Sequence, residues 1–291
     1  MLQPLSFAPL SLSQKQQVEA IRTASANTLY VYTFTSLFAW QEDEQYEICL
    51  LDDAFLVKNG AEGEHAYLFP CGSESGKKQL IDALLAYSHP VFYTLTEDDK
   101  LFLEREYPGQ FVFEECRSEF PYLYDRQEQT LLSGKRYKRL RHRINQGRAV
   151  ARHWDIQPLS EENIARALRL NQRWAEQQSG DALADTRAAQ EALNHFSDLS
   201  VWGLLFEADG EDIAYVAGCF VSEEIFDISF CKVLDNRCDC FVKWSLYSAL
   251  PPAVKIVDSE EDLGLEGLRK HKMLRIPKEL TRVWKGSYIH E

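Results

Sequence analysis

The chain contains no run of eighteen apolar residues, which excludes a membrane-crossing helix from its own sequence. Its opening stretch, MLQPLSFAPLSL, has no basic residue ahead of its short apolar content, and Pro4 and Pro9 interrupt it, so a secretory signal is not expected. Cysteine is neither abundant nor paired. Seven scattered thiols suit a reducing, cytoplasmic setting better than a disulfide framework. Cys238 and Cys240 form a CxC with Cys231 nearby, but His195 and His271 do not stand at the intervals of a zinc site, and no metal is expected. Also missing are G-x-S-x-G, a Walker loop and H-E-x-x-H, which removes support for hydrolase, nucleotide triphosphatase and zinc protease chemistry. Basic residues are outnumbered, 32 against 45 acidic ones, for a formal net charge of −13.

Against that background, residues 135–143 (KRYKRLRHR) hold six of the scarce cations in nine positions. Such a cluster points to an anionic partner, because exposed like charges repel unless a ligand offsets them. Tyr137, Leu140 and Ile144 recur at i, i+3 and i+7, so a helix here would bury one apolar stripe and leave the cations around the rest. Arg139 and Arg143 share a face at i, i+4, and Arg141 points elsewhere. Guanidinium forks suit phosphate. The alternative is a solvated helix whose cations serve solubility alone.

At 291 residues the chain has room for two ordinary domains, and 45% hydrophobic content provides a sizeable core. Aromatic and β-branched runs at 30–34, 46–51, 54–57, 66–69, 91–95 and 111–114 read as strands, with helices at 13–22, 76–88 and 98–106. A long helical region is expected from the FPYLYD segment through about residue 151. Beyond it come strands at 153–158, 201–207, 213–221, 226–232 and 254–257, and helices at 161–178, 186–196 and 241–249. Asp209-Gly210 marks a hairpin turn. The order of elements partly repeats, giving an α+β chain with expected domains 1–120 and 121–291. Trp174 and Trp202 read as core, with Trp174 alternatively lining a cleft.

Two segments carry a resemblance to a known family. YLYDRQEQTLLSGKRYKRLRHRIN (122–145) resembles the opening helix of the C-terminal catalytic domain of phosphatidylglycerol lysyltransferases and their stand-alone bacterial relatives. VDSEEDLGLEGLRKHKMLRIP (257–277) resembles that family's closing motif, an acidic pair followed by Gly, Leu-Arg-Lys, Lys and Pro. His142, Gly147 and Asp258 stand where Asn, an aromatic residue and Asn are usual. The resemblance implies two tandem GNAT-like domains with mixed central sheets, the architecture of Fem-type aminoacyltransferases. It also implies transfer of an amino acid from aminoacyl-tRNA to a hydroxyl or amine on a small molecule, peptide or lipid headgroup, with no separate cofactor.

Such a transfer needs a base for the acceptor, a cradle for the donor's phosphates and stabilisation of the oxyanion. Arg139, Arg141, Arg143 and Asn145 are the candidates for the cradle. Glu260 and Asp262, just after a strand, are the candidate catalytic carboxylates, and Arg269, Lys270 and Lys272 on the next helix are candidate anion binders. A helix with acids at its start and cations at its end would also arise from the helix dipole alone. Acyl-CoA is the alternative donor, yet INQGRA (144–149) only approximates the R/Q-x-x-G-x-G/A phosphate loop of acetyl-CoA-dependent enzymes. A non-catalytic RNA- or anion-binding protein of the same fold is the remaining alternative.

Overall fold

The computed structural model describes residues 4–178 and 182–289. The chain forms two compact units, one built from residues up to Phe120 together with the segment from Thr281 onward, the other from Pro121–Leu280.

The first unit holds the strands Ala8–Pro9 (β1), Tyr46–Leu50 (β2), Ala54–Asn59 (β3), Ala66–Leu68 (β4), Cys71–Gly72 (β5), Val91–Leu95 (β6) and Phe111–Glu115 (β7). Around them lie helices Lys15–Ala24 (α1), Phe34–Trp40 (α2), Glu74–Leu85 (α3) and Glu97–Glu106 (α4). The sheet runs β1-β2-β3-β4-β6, with β4 and β6 parallel, and ends on β7. The C-terminal strand Trp284–Tyr288 is inserted between β6 and β7, antiparallel to both. The expected second domain, 121–291, thus loses its last strand to the first unit's sheet. Trp284 packs into that unit's core, which its sequence neighbours could not reveal.

Residues 30–34, expected as a strand, instead form a 3-10 turn at Tyr30–Tyr32 leading into α2. Local capping overrides the β-preference of YVYTF: the Thr33 hydroxyl accepts the Ser36 amide, and Glu19 Oε1 accepts the Phe34 amide at 2.6 Å.

The second unit's strands are Tyr122–Asp125 (β8), Trp154–Pro158 (β9), Trp202–Ala208 (β10), Glu211–Phe220 (β11), Ile225–Val233 (β12), Ile256–Asp258 (β13) and Glu279–Leu280 (β14). Its helices are Arg126–Leu131 (α5), Lys138–Arg148 (α6), Ile164–Ala175 (α7), Ala182–Asn194 (α8), Phe196–Leu199 (α9), Asp239–Ala249 (α10) and Glu266–Leu274 (α11). The sheet order is β14-β8-β13-β12-β11-β10-β9, with β12 and β13 parallel and the other pairs antiparallel. This repeats the first sheet's scheme: three antiparallel neighbours, one parallel pair, then a strand borrowed from elsewhere in the chain ahead of the last one. The two-residue turn at Asp209 and Gly210, both at positive φ, closes the β10–β11 hairpin.

The expected long helix over FPYLYD is replaced by β8. Tyr122 and Tyr124 are buried while Leu123 and Asp125 stay half-exposed, a period of two that four residues conceal. Helix then begins where Asp125 caps α5 by accepting the Glu128 amide. It breaks at Leu132 in the left-handed region and Gly134 at positive φ before the basic segment restarts it as α6.

Candidate functional site

In the second unit, β12 and β13 pair for only three residues, and the last pair brings Asp227 beside Asp258. Past that point the strands part. β12 continues to Val233 along β11, while the chain after Asp258 turns away through Glu260, Leu263 and Gly264, all at positive φ. Left-handed backbone at a glutamate and a leucine is a conformation that surrounding structure must hold in place. Asp227 and Asp258 are 0% and 1% exposed, so two carboxylates lie side by side almost without water.

Burial raises the pKa of both. Asp227 is pushed well above its ordinary value by burial and then by the charge of Asp258. Asp258 is pushed up to about 7 by burial and by Glu261, although the Glu260 amide, which it accepts at 2.8 Å, pulls the other way. Asp227 Oδ2 accepts the Ser229 hydroxyl at 2.6 Å, and Oδ1 has no hydrogen-bond partner among the described residues. Half-buried Glu260 is raised by desolvation and by Asp227 and Glu261.

A bulge governs this face. Between the pairs Ala217–Phe230 and Cys219–Asp227, two residues of β12 oppose the single residue Gly218 of β11. A Cβ on Gly218 would collide with the Asp227 carbonyl, so only glycine admits this approach. The extra residue also flips the alternation. Phe226, Ile228, Cys231 and Val233 pack into the core, which leaves Lys232 on the same face as Asp227. Lys232 is 1% exposed, paired with Asp185 of α8, and its ammonium lies 4.1 Å from the centre of the Trp174 ring on α7. Trp174 is therefore half-buried against a cation, whereas Trp202 packs against the core.

The predicted residues of the closing motif separate into distinct roles. Asp262, fully buried, accepts the Tyr122 hydroxyl at 2.6 Å, the Gly264 amide at 2.9 Å and both Nε and Nη2 of Arg269 at 2.9 Å. Arg269, followed by burial acting in opposition and by the Tyr122 hydroxyl, leaves this carboxyl well below the usual range. A carboxylate so engaged braces the turn and makes a poor base. Lys272 is buried, donates to the carbonyls of Ser259 and Glu261, and lies over the Tyr122 ring. Desolvation lowers its pKa while Glu260 and Glu261 oppose that. Lys270 points into water and, among the described residues, pairs with Glu266 alone, at 2.6 Å, in a pair exposed on both sides.

On α6 the apolar stripe is as expected: Tyr137, Leu140 and Ile144 are buried against Cys240 and Phe241 of α10. Gly147 continues the stripe, where a Cβ would meet the Arg237 carbonyl oxygen at 2.7 Å. Arg139, Arg143 and Asn145 are exposed, and the side chains of Arg139 and Arg143 form no ion pair among the described residues. Arg141 is committed elsewhere, donating to the carbonyls of Leu132 and Gly134 and so closing the break between α5 and α6. Both motifs pack against the first turns of α10, since Ile276 joins the α6 cluster and His271 and Arg275 reach Asp239.

Reading by residue type missed Asp227 and Lys232. The one available signal was a pair of charges inside the otherwise apolar IFDISFCKV, and without knowledge of the bulge their common face is invisible. Asp239, Cys240 and His271 also offer ligand atoms within 4.8 Å of one another. Lys243 and Arg275 already neutralise that carboxylate at 3.0 Å each, and a divalent ion would meet both fixed cations.

Two mixed sheets, each with one central parallel pair, define a tandem GNAT-like architecture of the Fem type. Solved structures agree on this fold. A conserved protein of unknown function from Bacteroides thetaiotaomicron superposes with a TM-score of 0.88 at 24% identity over 98% of this chain and all of the other. L-PGS from Bacillus licheniformis gives 0.64 at 13% identity over 94% of this chain and 91% of that one. FemX gives 0.58 at 10% identity over 98% of both chains. No curated protein matches the sequence. The family model described as phosphatidylglycerol lysyltransferase, C-terminal, matches residues 22–230, and the chain belongs to that family. It is thus a GNAT-fold chain of the acyltransferase type, and no helix among the described residues is long and apolar enough to cross a membrane.

Proposed function

We propose that the protein transfers an aminoacyl or acyl group to an amine or hydroxyl, with the Asp227–Asp258 pair handling the proton. The observation that carries this reading is the buried carboxylate pair at the parting of β12 and β13, with Asp258 raised to about 7. An acceptor amine is protonated at neutral pH and must lose a proton to attack, and a base works best when its pKa lies near the working pH. The nucleophile adds to the donor's ester or thioester carbonyl, the carboxylate takes the released proton, and that proton passes to the leaving oxygen or sulfur as its bond to carbon breaks.

Family membership and the exposed guanidinium groups of Arg139 and Arg143 favour aminoacyl-tRNA as donor, with acyl-CoA as the rival. Glu260 and Lys272 border the pair, Lys272 as a cation held on the carbonyls of Ser259 and Glu261. Asp262 and Arg269 brace the turn.

The test is a donor screen. Purified protein is offered bulk aminoacylated tRNA or acyl-CoA with amine and hydroxyl acceptors, and the release of tRNA or CoA is followed. Turnover that falls at least a hundredfold in both Asp258→Asn and Asp227→Asn, with donor binding kept, supports the reading. Binding of RNA without turnover from either donor class would leave a non-catalytic anion-binding protein instead.

A further inference from the structure

The helix α11 buries no apolar side chain; its one buried residue is Lys272. A nine-residue helix is unstable by itself, and with only Leu268 and Leu274 half-buried it leans on its polar contacts. The largest convergence of these is on Asp239, the first residue of α10. Arg275 Nη2 donates to Asp239 Oδ2 at 3.0 Å, Lys243 Nζ lies 3.0 Å from Oδ1, and His271 Nε2 approaches Oδ2 to 2.7 Å without hydrogen-bond geometry. His271 in the last turn of α11 and Arg275, its C-cap, are i, i+4 and share a face, so one carboxylate meets the end of the helix at two points. Arg275 and Asp239 are 3% and 17% exposed at the side chain, which places the clasp in a weakly screened setting.

We infer that Asp239 is a positioning residue. By gripping His271 and Arg275 it sets the rotation of α11, and so delivers Lys272, which lies between them in sequence, to the carbonyls of Ser259 and Glu261 beside the carboxylate pair. The inference deepens the proposed transfer, in that it rests on Lys272 serving that site. Other contacts hold α11 as well: Arg269 pairs with Asp262 near its middle, and the Tyr124 hydroxyl and Gln129 side-chain amide donate to the carbonyls of Lys272 and Arg275 at 2.9 and 2.6 Å, so the Asp239 clasp adds the side-chain hold on the face that carries His271 and Arg275.

The test compares wild type with Asp239→Asn, which keeps the shape and removes the charge, and with Asp239→Glu, which keeps the charge. Hydrogen exchange is read over residues 266–275, with residues 225–233 as internal reference. The expected result is at least tenfold faster exchange over 266–275 in Asp239→Asn, unchanged exchange over 225–233, and partial rescue in Asp239→Glu. His271→Ala approaches the clasp from the other side and should reproduce the effect if Asp239→Asn does not fold. In the transfer assay kcat should fall about tenfold in Asp239→Asn while the donor KM stays within twofold. Equal protection of 266–275 in the folded variants would overturn the inference, as would equal loss of kcat and rise of KM. If wild type turns over no donor, the transfer reading fails and the exchange measurement still decides the role of Asp239.

Discussion

Replacing Asp258 with asparagine should make the protein more stable at pH 8 while removing its chemistry. The folded-state pKa of Asp258 is about 7 against an ordinary 3.8. Between those values the folded protein holds a proton that the unfolded chain has released. A raised carboxylate therefore contributes its full stability below pH 3.8 and loses it progressively as pH rises to about 7. At ~1.4 kcal/mol per pH unit, the cost of charging this group approaches about 4 kcal/mol above pH 7. Asparagine keeps the Oδ1 acceptor for the Glu260 amide, carries no charge, and relieves the repulsion that raises Asp227. Urea unfolding of wild type and Asp258→Asn from pH 4 to pH 8 gives the difference directly. It should be near zero at pH 4 and grow to about 2–4 kcal/mol in favour of the variant at pH 8. A difference that stays flat with pH, or that favours wild type at pH 8, would refute the claim that this carboxylate is stored at a cost. Stability sacrificed for a reactive site is a common pattern, and here it should be reversible by one atom's change.

Asp262→Ala strands the buried Tyr122 hydroxyl and Arg269 and should cost about 2–4 kcal/mol by denaturant titration. Because Asp262 is held below the usual carboxylate range, its contribution is present above an ordinary carboxylate pKa and fades as pH falls below it; the variant should lose that acid-side slope. Arg139→Ala with Arg143→Ala should leave Tm unchanged and reduce the salt dependence of RNA binding by about one to two phosphate contacts. Arg141→Ala should do the reverse, lowering Tm while leaving that slope alone; an unchanged slope in the first pair would remove α6 as the RNA contact. Gly218→Ala places a Cβ on the Asp227 carbonyl and should destabilise by about 3 kcal/mol or more, read by thermal unfolding, and near-neutral behaviour would show that the bulge can relax.

Much of the fold followed from periodicity. The α6 stripe of Tyr137, Leu140 and Ile144 and the Asp209-Gly210 hairpin are local patterns that burial or turn geometry enforces, and both appear in the structure. Local pattern failed where a longer-range partner decided the outcome. YVYTF became a helix start because Glu19 accepts the Phe34 amide and Thr33 that of Ser36, and FPYLYD became a strand because β13 and β14 pair with it.

The candidate site divides the same way. Residue type alone marked Glu260, Asp262, Arg269 and Lys272 as chemically interesting, because charges that dense are costly to place without a use. Which charges are free to react was set by the tertiary surroundings: Tyr122 and Arg269 occupy Asp262, and burial lifts Asp258. Arg141 was legible as a cation and illegible as a loop clamp. Composition and spacing determine which charges a chain possesses and which helices it can form. The field each charge experiences depends on what tertiary contacts place within a few ångströms, and a one-residue bulge in β12 was enough to move Lys232 to the face of Asp227.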